Sequence, residues 1–158
     1  MKPLRLLIFT LVFCFFFSFC FAQDIKLPDA AGGFYPDNPQ ELSATIDKFL
    51  EKSNPPKIEG EIFALICPHA GYLYSGQVAA YGYKLVQGKD YKTVVIIASS
   101  HFSAFRGISV YAQGSFLTPL GVVEVDSDFT TNILNKDSRI FFEPAYFKKE
   151  HPIEVQIP

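Results

Sequence analysis

Three histidines, His69, His101 and His151, are the residues of this chain best suited to chemistry, because imidazole binds metals and moves protons near neutral pH. His69 follows an apolar run over residues 62–67, "IFALIC", and is separated from it only by Pro68. His101 follows a second apolar run over residues 93–98, "TVVIIA". If the two runs are neighbouring parallel strands, both imidazoles emerge at one carboxyl edge, where open α/β sheets hold their ligands. Two imidazoles at one point suit a divalent metal, iron, copper and zinc alike. Gly71 and Gly76 let backbone approach such a site, and Ser75, Ser99 and Ser100 offer hydroxyls near it. Glu150 and His151 read either as an ordinary polar pair at a helix start or as an acid and base facing the site, with His151 the candidate general base. Glu150, Tyr72, Tyr74 and Ser75 are the candidate substrate-binding residues. Cys67 reads as a small buried hydrophobe. A serine hydrolase is disfavoured, since no G-x-S-x-G elbow surrounds Ser99 or Ser100.

The elements that must carry these residues are well signalled in the first half. Asn38 can cap a helix with Pro39 at its first position and Glu41 closing a capping box. Leu42, Ile46, Phe49 and Leu50 give it one apolar stripe, and Ser53-Asn54-Pro55-Pro56 stops it. Ser75 can cap a second helix ending near Gly88. Strand, helix, strand with short loops predicts a right-handed βαβ unit. Beyond His101, "ISVYA" and "GVVEVD" predict a short antiparallel excursion, Asp126 or Ser127 a helix cap, and residues 139–142 a further strand. The tail "EHPIEVQIP" fits either a strand, by its alternating Ile153, Val155 and Ile157, or a helix start after Pro152.

The first 22 residues have their own pattern. Lys2 and Arg5 precede an apolar run over 6–21 that ends at Ala22, the layout of a secretory signal peptide. An uncleaved anchor needs about 20 apolar residues, and a lipoprotein at Cys20 needs a small residue where Phe19 stands. The expectation is an exported protein, periplasmic or extracellular, whose only membrane contact is this segment. Seven of 17 phenylalanines and two of three cysteines lie in it, which leaves Cys67 alone and no internal disulfide. Residues 23–158 carry twelve basic and sixteen acidic side chains, a balance that argues against nucleic acid as a partner. They suffice for one ordinary domain.

"PHAGYLYSGQVAAYGY" resembles the most distinctive segment of the Memo family, whose bacterial members are called AmmeMemoRadiSam system protein B. "AAGGFYPDNPQELSATIDKFL", "VVIIASSHF", "FLTPLGVVEVD" and "EHPIEVQIP" agree with that family in order. The resemblance implies a mixed, largely parallel α/β sheet flanked by helices, similar to class III extradiol dioxygenases. It implies that His69 and His101 line a metal-binding pocket, and it leaves the reaction unassigned. It also implies a missing part. The family's second S-S-D-F-x-H stretch and the cysteine completing its metal set fall outside this sequence, so residues 23–158 resemble an amino-terminal half. Partners of the AmmeMemoRadiSam system, a small molecule or a peptide are the expected binders. A non-catalytic peptide-binding or adaptor module, with Tyr72 and Tyr74 as contact aromatics, is the alternative.

Overall fold

A computed structural model describes residues 24–158; the expected signal peptide lies outside them. The fold is mixed α/β, with elements β1 (Ile25–Lys26), α1 (Pro39–Lys52), α2 (Tyr72–Val86), β2 (Ile108–Ser109), β3 (Ser115–Thr118), β4 (Gly121–Glu124), α3 (Ser127–Leu134) and β5 (Ile140–Phe141). Two short 3-10 turns, Pro144–Phe147 and Glu154–Gln156, close the order. β1 pairs parallel with β3, and β3 antiparallel with β4. β2 and β5 form a separate parallel pair. No helix among the described residues is long and apolar enough to cross a membrane.

Helix α1 starts as its residues require. The Asn38 side chain accepts from the Glu41 N–H at 3.0 Å, and Pro39 opens the first turn. Its stripe buries Leu42 completely, and Ile46 packs on the cluster of Ala30, Tyr35, Leu42 and Val155. Helix α1 meets α2 where Phe49 lies over Gly76. A Cβ at residue 76 would stand 2.5 Å from the Phe49 ring, so only glycine lets the two helices approach this closely.

Three expectations are corrected. Helix α2 is capped by Gly71 and begins at Tyr72, not at Ser75. Ser75 is buried in the first turn, its hydroxyl donating to the Ala70 carbonyl at 3.1 Å. The antiparallel partner of "GVVE" is "SFLT", because the Thr118–Gly121 turn joins them directly and the Thr118 hydroxyl closes it on the Gly121 carbonyl at 2.9 Å. Ile108 and Ser109 instead run parallel to Ile140 and Phe141.

The third correction matters most. Residues 62–67 and 93–98, expected as paired strands, belong to neither sheet. Their composition is that of strands buried on both faces, yet Phe63 is 97% and Ile97 87% exposed. A strand exists only by its ladder partner, and the described residues offer these runs none. Helix α2 still packs on the first run: a Cβ at Gly82 would lie 2.8 Å from the Cys67 sulfur.

Two outcomes follow from this packing. Gly76→Ala gains about 1 kcal/mol of helix propensity but overpacks against Phe49, which costs typically about 1–3 kcal/mol. A lowered urea midpoint is therefore expected. Residues 23–158 expressed alone will associate through the open apolar runs, as light scattering over a concentration series will show. A sharp, concentration-independent melting transition of a monomer is the contrary result.

Candidate metal centre

The tail adopts a helical turn, with the Val155 N–H bonded to the His151 carbonyl at 2.9 Å. Of the two forms its sequence allowed, the strand is thereby excluded. The turn brings two carboxylates, Glu150 and Glu154, into the interior on either side of His151, with Pro152 fully buried between them.

Glu154 is 2% exposed and surrounded by donors. Its Oε1 accepts from the Ala30 N–H at 2.8 Å and the Tyr35 hydroxyl at 2.7 Å. Its Oε2 accepts from the Asp29 N–H at 2.8 Å and the Lys26 ammonium at 3.4 Å. Burial, reinforced by the hydrogen bond to this carboxylate, pushes the Tyr35 phenol far above its ordinary range. Glu154 so fixes the loop over residues 29–35, in which Gly32 takes a positive φ of 78°. The Phe34 carbonyl then accepts the Tyr72 N–H at 2.7 Å, which anchors the turn just after His69. Tyr72 closes the circuit, donating its hydroxyl to the Val155 carbonyl at 3.2 Å. Burial raises its pKa to about 12.

Glu150 serves the other histidine. Its Oε1 accepts from the Ser100 hydroxyl at 2.5 Å, the His101 N–H at 2.8 Å and the Phe102 N–H at 2.9 Å. Burial opposes its charge, but the Ser100 hydroxyl and the Phe102 and His101 N–H groups outweigh that and hold its pKa below the ordinary value. The residue before it, Lys149, has φ 62° and donates its N–H to Asp29 at 3.0 Å.

These two clamps bring the three histidines together. Ring centres lie 5.3 Å apart for His69 and His101, 4.8 Å for His101 and His151, and 6.3 Å for His69 and His151. Phe34 packs on the His151 ring at 4.2 Å. Burial and the neighbouring His101 and His69 lower the His151 pKa, which favours its neutral form. Imidazole nitrogens lie about 2.0–2.1 Å from a zinc ion, which places two ligand rings on one ion about 5 Å apart. The His69–His101 spacing and the all-imidazole donor chemistry fit a divalent metal. No group of three His, Cys, Asp or Glu among the described residues is arranged as a ready ligand set.

The other candidates fall in different places. Tyr74 stands 83% exposed, whereas Tyr72 is packed against Tyr35 and Phe49. Tyr72 and Ser75 line an apolar groove of about 370 Å³ with Phe49, Tyr83, Val155 and Ile157. Cys67 is half-buried, and burial raises its thiol pKa. Sequence reasoning missed Glu154 and Phe34. The signal for Glu154 was present: an acid between Ile153 and Val155, four residues after Glu150, has few ways to be buried except as an acceptor.

The sequence model of Memo-like proteins matches residues 26–158. A MEMO1 family protein of Nitrosopumilus maritimus is 35% identical over 138 residues, covering 85% of this chain and 50% of that protein. MEMO1 family proteins of Methanocaldococcus jannaschii and Desulfurococcus amylolyticus are 38% and 39% identical, over 85% and 84% of this chain and 50% of each relative. The chain spans about half the length of the curated relatives it matches.

Replacing Glu154 by Ala leaves the Asp29 and Ala30 N–H groups and the Tyr35 phenol without their acceptor, while Lys26 keeps Asp29 at 3.0 Å. Each buried donor left unsatisfied costs about 1–3 kcal/mol. Chemical denaturation of Glu154→Ala is expected to show a loss of this order, far above that of an exposed substitution such as Glu61→Ala.

Proposed function

This chain belongs to the Memo family, and from that premise we propose that it is an exported metal-binding protein with an oxygenase-like or metal-handling pocket. The observation carrying this reading is the convergence of His69 and His101, with ring centres 5.3 Å apart, at the ends of two apolar runs. Their imidazoles would hold a divalent metal, iron first and copper or zinc as alternatives, completed by a ligand other than the described residues. Such a metal, when bound, supplies Lewis acidity and open coordination positions for an oxygen-bearing ligand.

The chain's own residues set the rest. His151, 4.8 Å from His101 between ring centres and with its pKa lowered by burial and by His101 and His69, would take a proton from a substrate bound beside the histidines. Phe34 packs against that imidazole, with ring centres 4.2 Å apart. Tyr74, exposed five residues beyond His69, would meet a substrate, while Tyr72 and Ser75 line the apolar groove. Export rests on residues 1–22, whose charged start, apolar middle and Ala22 match a signal peptide.

The apolar groove beside Tyr72 favours a second reading, a peptide-binding module that needs no chemistry. Metal dependence separates the two. Zn²⁺ or Fe²⁺ titrated calorimetrically into the full chain should bind, with His69→Ala and His101→Ala each weakening binding by at least about tenfold. Full-strength binding in both variants refutes the metal pair. Capture of an apolar peptide that survives a chelator and His69→Ala favours the module.

A further inference from the structure

We propose that Glu150 is a positioning residue for His101, acting through the backbone rather than through its charge. One oxygen, Oε1, gathers the Ser100 hydroxyl and the N–H groups of His101 and Phe102. The other, Oε2, also receives the His101 N–H, at 3.0 Å, but stands 3.9 Å from the imidazole Nδ1, beyond hydrogen-bond reach. The Ser100 hydroxyl in turn accepts the Ser103 N–H at 3.0 Å. The turn over residues 100–103 is therefore wound around a single carboxylate oxygen contributed from about fifty residues away in the chain.

The consequence falls on the ring. With the turn fixed, the His101 Nδ1 lies 3.2 Å from the Ser99 carbonyl. A carbonyl only accepts, so Nδ1 carries the proton and Nε2 keeps its lone pair. A histidine whose tautomer is set by a backbone carbonyl presents its other nitrogen as the ligand. Glu150 thereby selects which nitrogen of His101 keeps the lone pair for a ligand, although it contacts that ring at no bonding distance. The same segment supplies His151, so one stretch of five residues carries both the candidate base and the clamp for one metal-binding histidine.

Two variants separate reach from charge. Glu150→Gln keeps an oxygen at the Oε1 position and removes the charge; Glu150→Asp keeps the charge and withdraws the oxygen from the turn. The readouts, on the full chain, are the His101 tautomer by long-range ¹H–¹⁵N correlation without metal, and Zn²⁺ affinity by calorimetry. The affinity arm rests on the proposed function, and the tautomer arm does not. The expected result is that Asp loses the Nδ1–H preference and weakens Zn²⁺ binding by about 10–100-fold, while Gln retains the preference and most of the affinity. An Asp variant with an unchanged tautomer, or a Gln variant that loses as much as Asp, overturns the inference. If the Asp variant fails to fold by circular dichroism, Ser100→Ala, which removes one donor to Oε1, is expected to lose part of the preference; full retention there overturns it. A wild-type chain that takes up no Zn²⁺ yet shows the Asp-specific tautomer change refutes the metal reading and leaves the positioning role standing.

Discussion

A carboxylate withdrawn from water must be met by donors, and in this protein that requirement ties the two ends of the described chain together. Glu154 collects its donors from Lys26, Asp29, Ala30 and Tyr35, between 119 and 128 residues away. Leaving any of those groups buried without a partner costs more than the bond itself contributes. The tail turn, the 29–35 loop and the start of α2 are consequently one unit, since Phe34 links the loop to Tyr72 and Tyr72 returns to Val155. Glu150 repeats the device on the His101 side. The five residues from Glu150 to Glu154 work as a hub from which both histidine-bearing turns are hung.

This polar hub compensates for a thin apolar core. Among the described residues, the buried hydrophobic set is small: Ala30, Tyr35, Leu42, Ala80, Phe147 and Val155. Large apolar side chains such as Phe63, Ile66, Val94 and Ile97 face outward instead. In the relatives, this region accounts for about half of a longer polypeptide. Residues 62–67 and 93–98 have the composition of central strands, buried on both faces, without neighbours to make them so. The carboxyl ends of the two runs nevertheless meet, because His69 and His101 are held by the hub and not by sheet pairing.

Much of the local structure was legible in the sequence. Asn38, Pro39 and Glu41 announced α1, Asp126 announced α3, where its side chain accepts the Phe129 N–H at 2.9 Å, and Gly88 with its positive φ lies just past the end of α2. These signals are readable because their partners lie within four residues. The histidines were legible too, as residues placed at the ends of apolar runs. Gly71 displaced Ser75 as the α2 cap because the Phe34 carbonyl, a distant group, claims the Tyr72 N–H.

The sequence by itself thus determined where the three helices lie, apart from the start of α2, and the candidate residues His69, His101 and His151. Only the tertiary structure decided that the three imidazoles share one place, that Glu150 and Glu154 hold the loops presenting two of them, and that two strand-like runs go unpaired. Caps and turns are settled by neighbours in sequence, and so by composition and spacing. Strand pairing and the satisfaction of a buried carboxylate depend on groups about 50 to 128 residues away, and no local pattern records which distant donor will arrive.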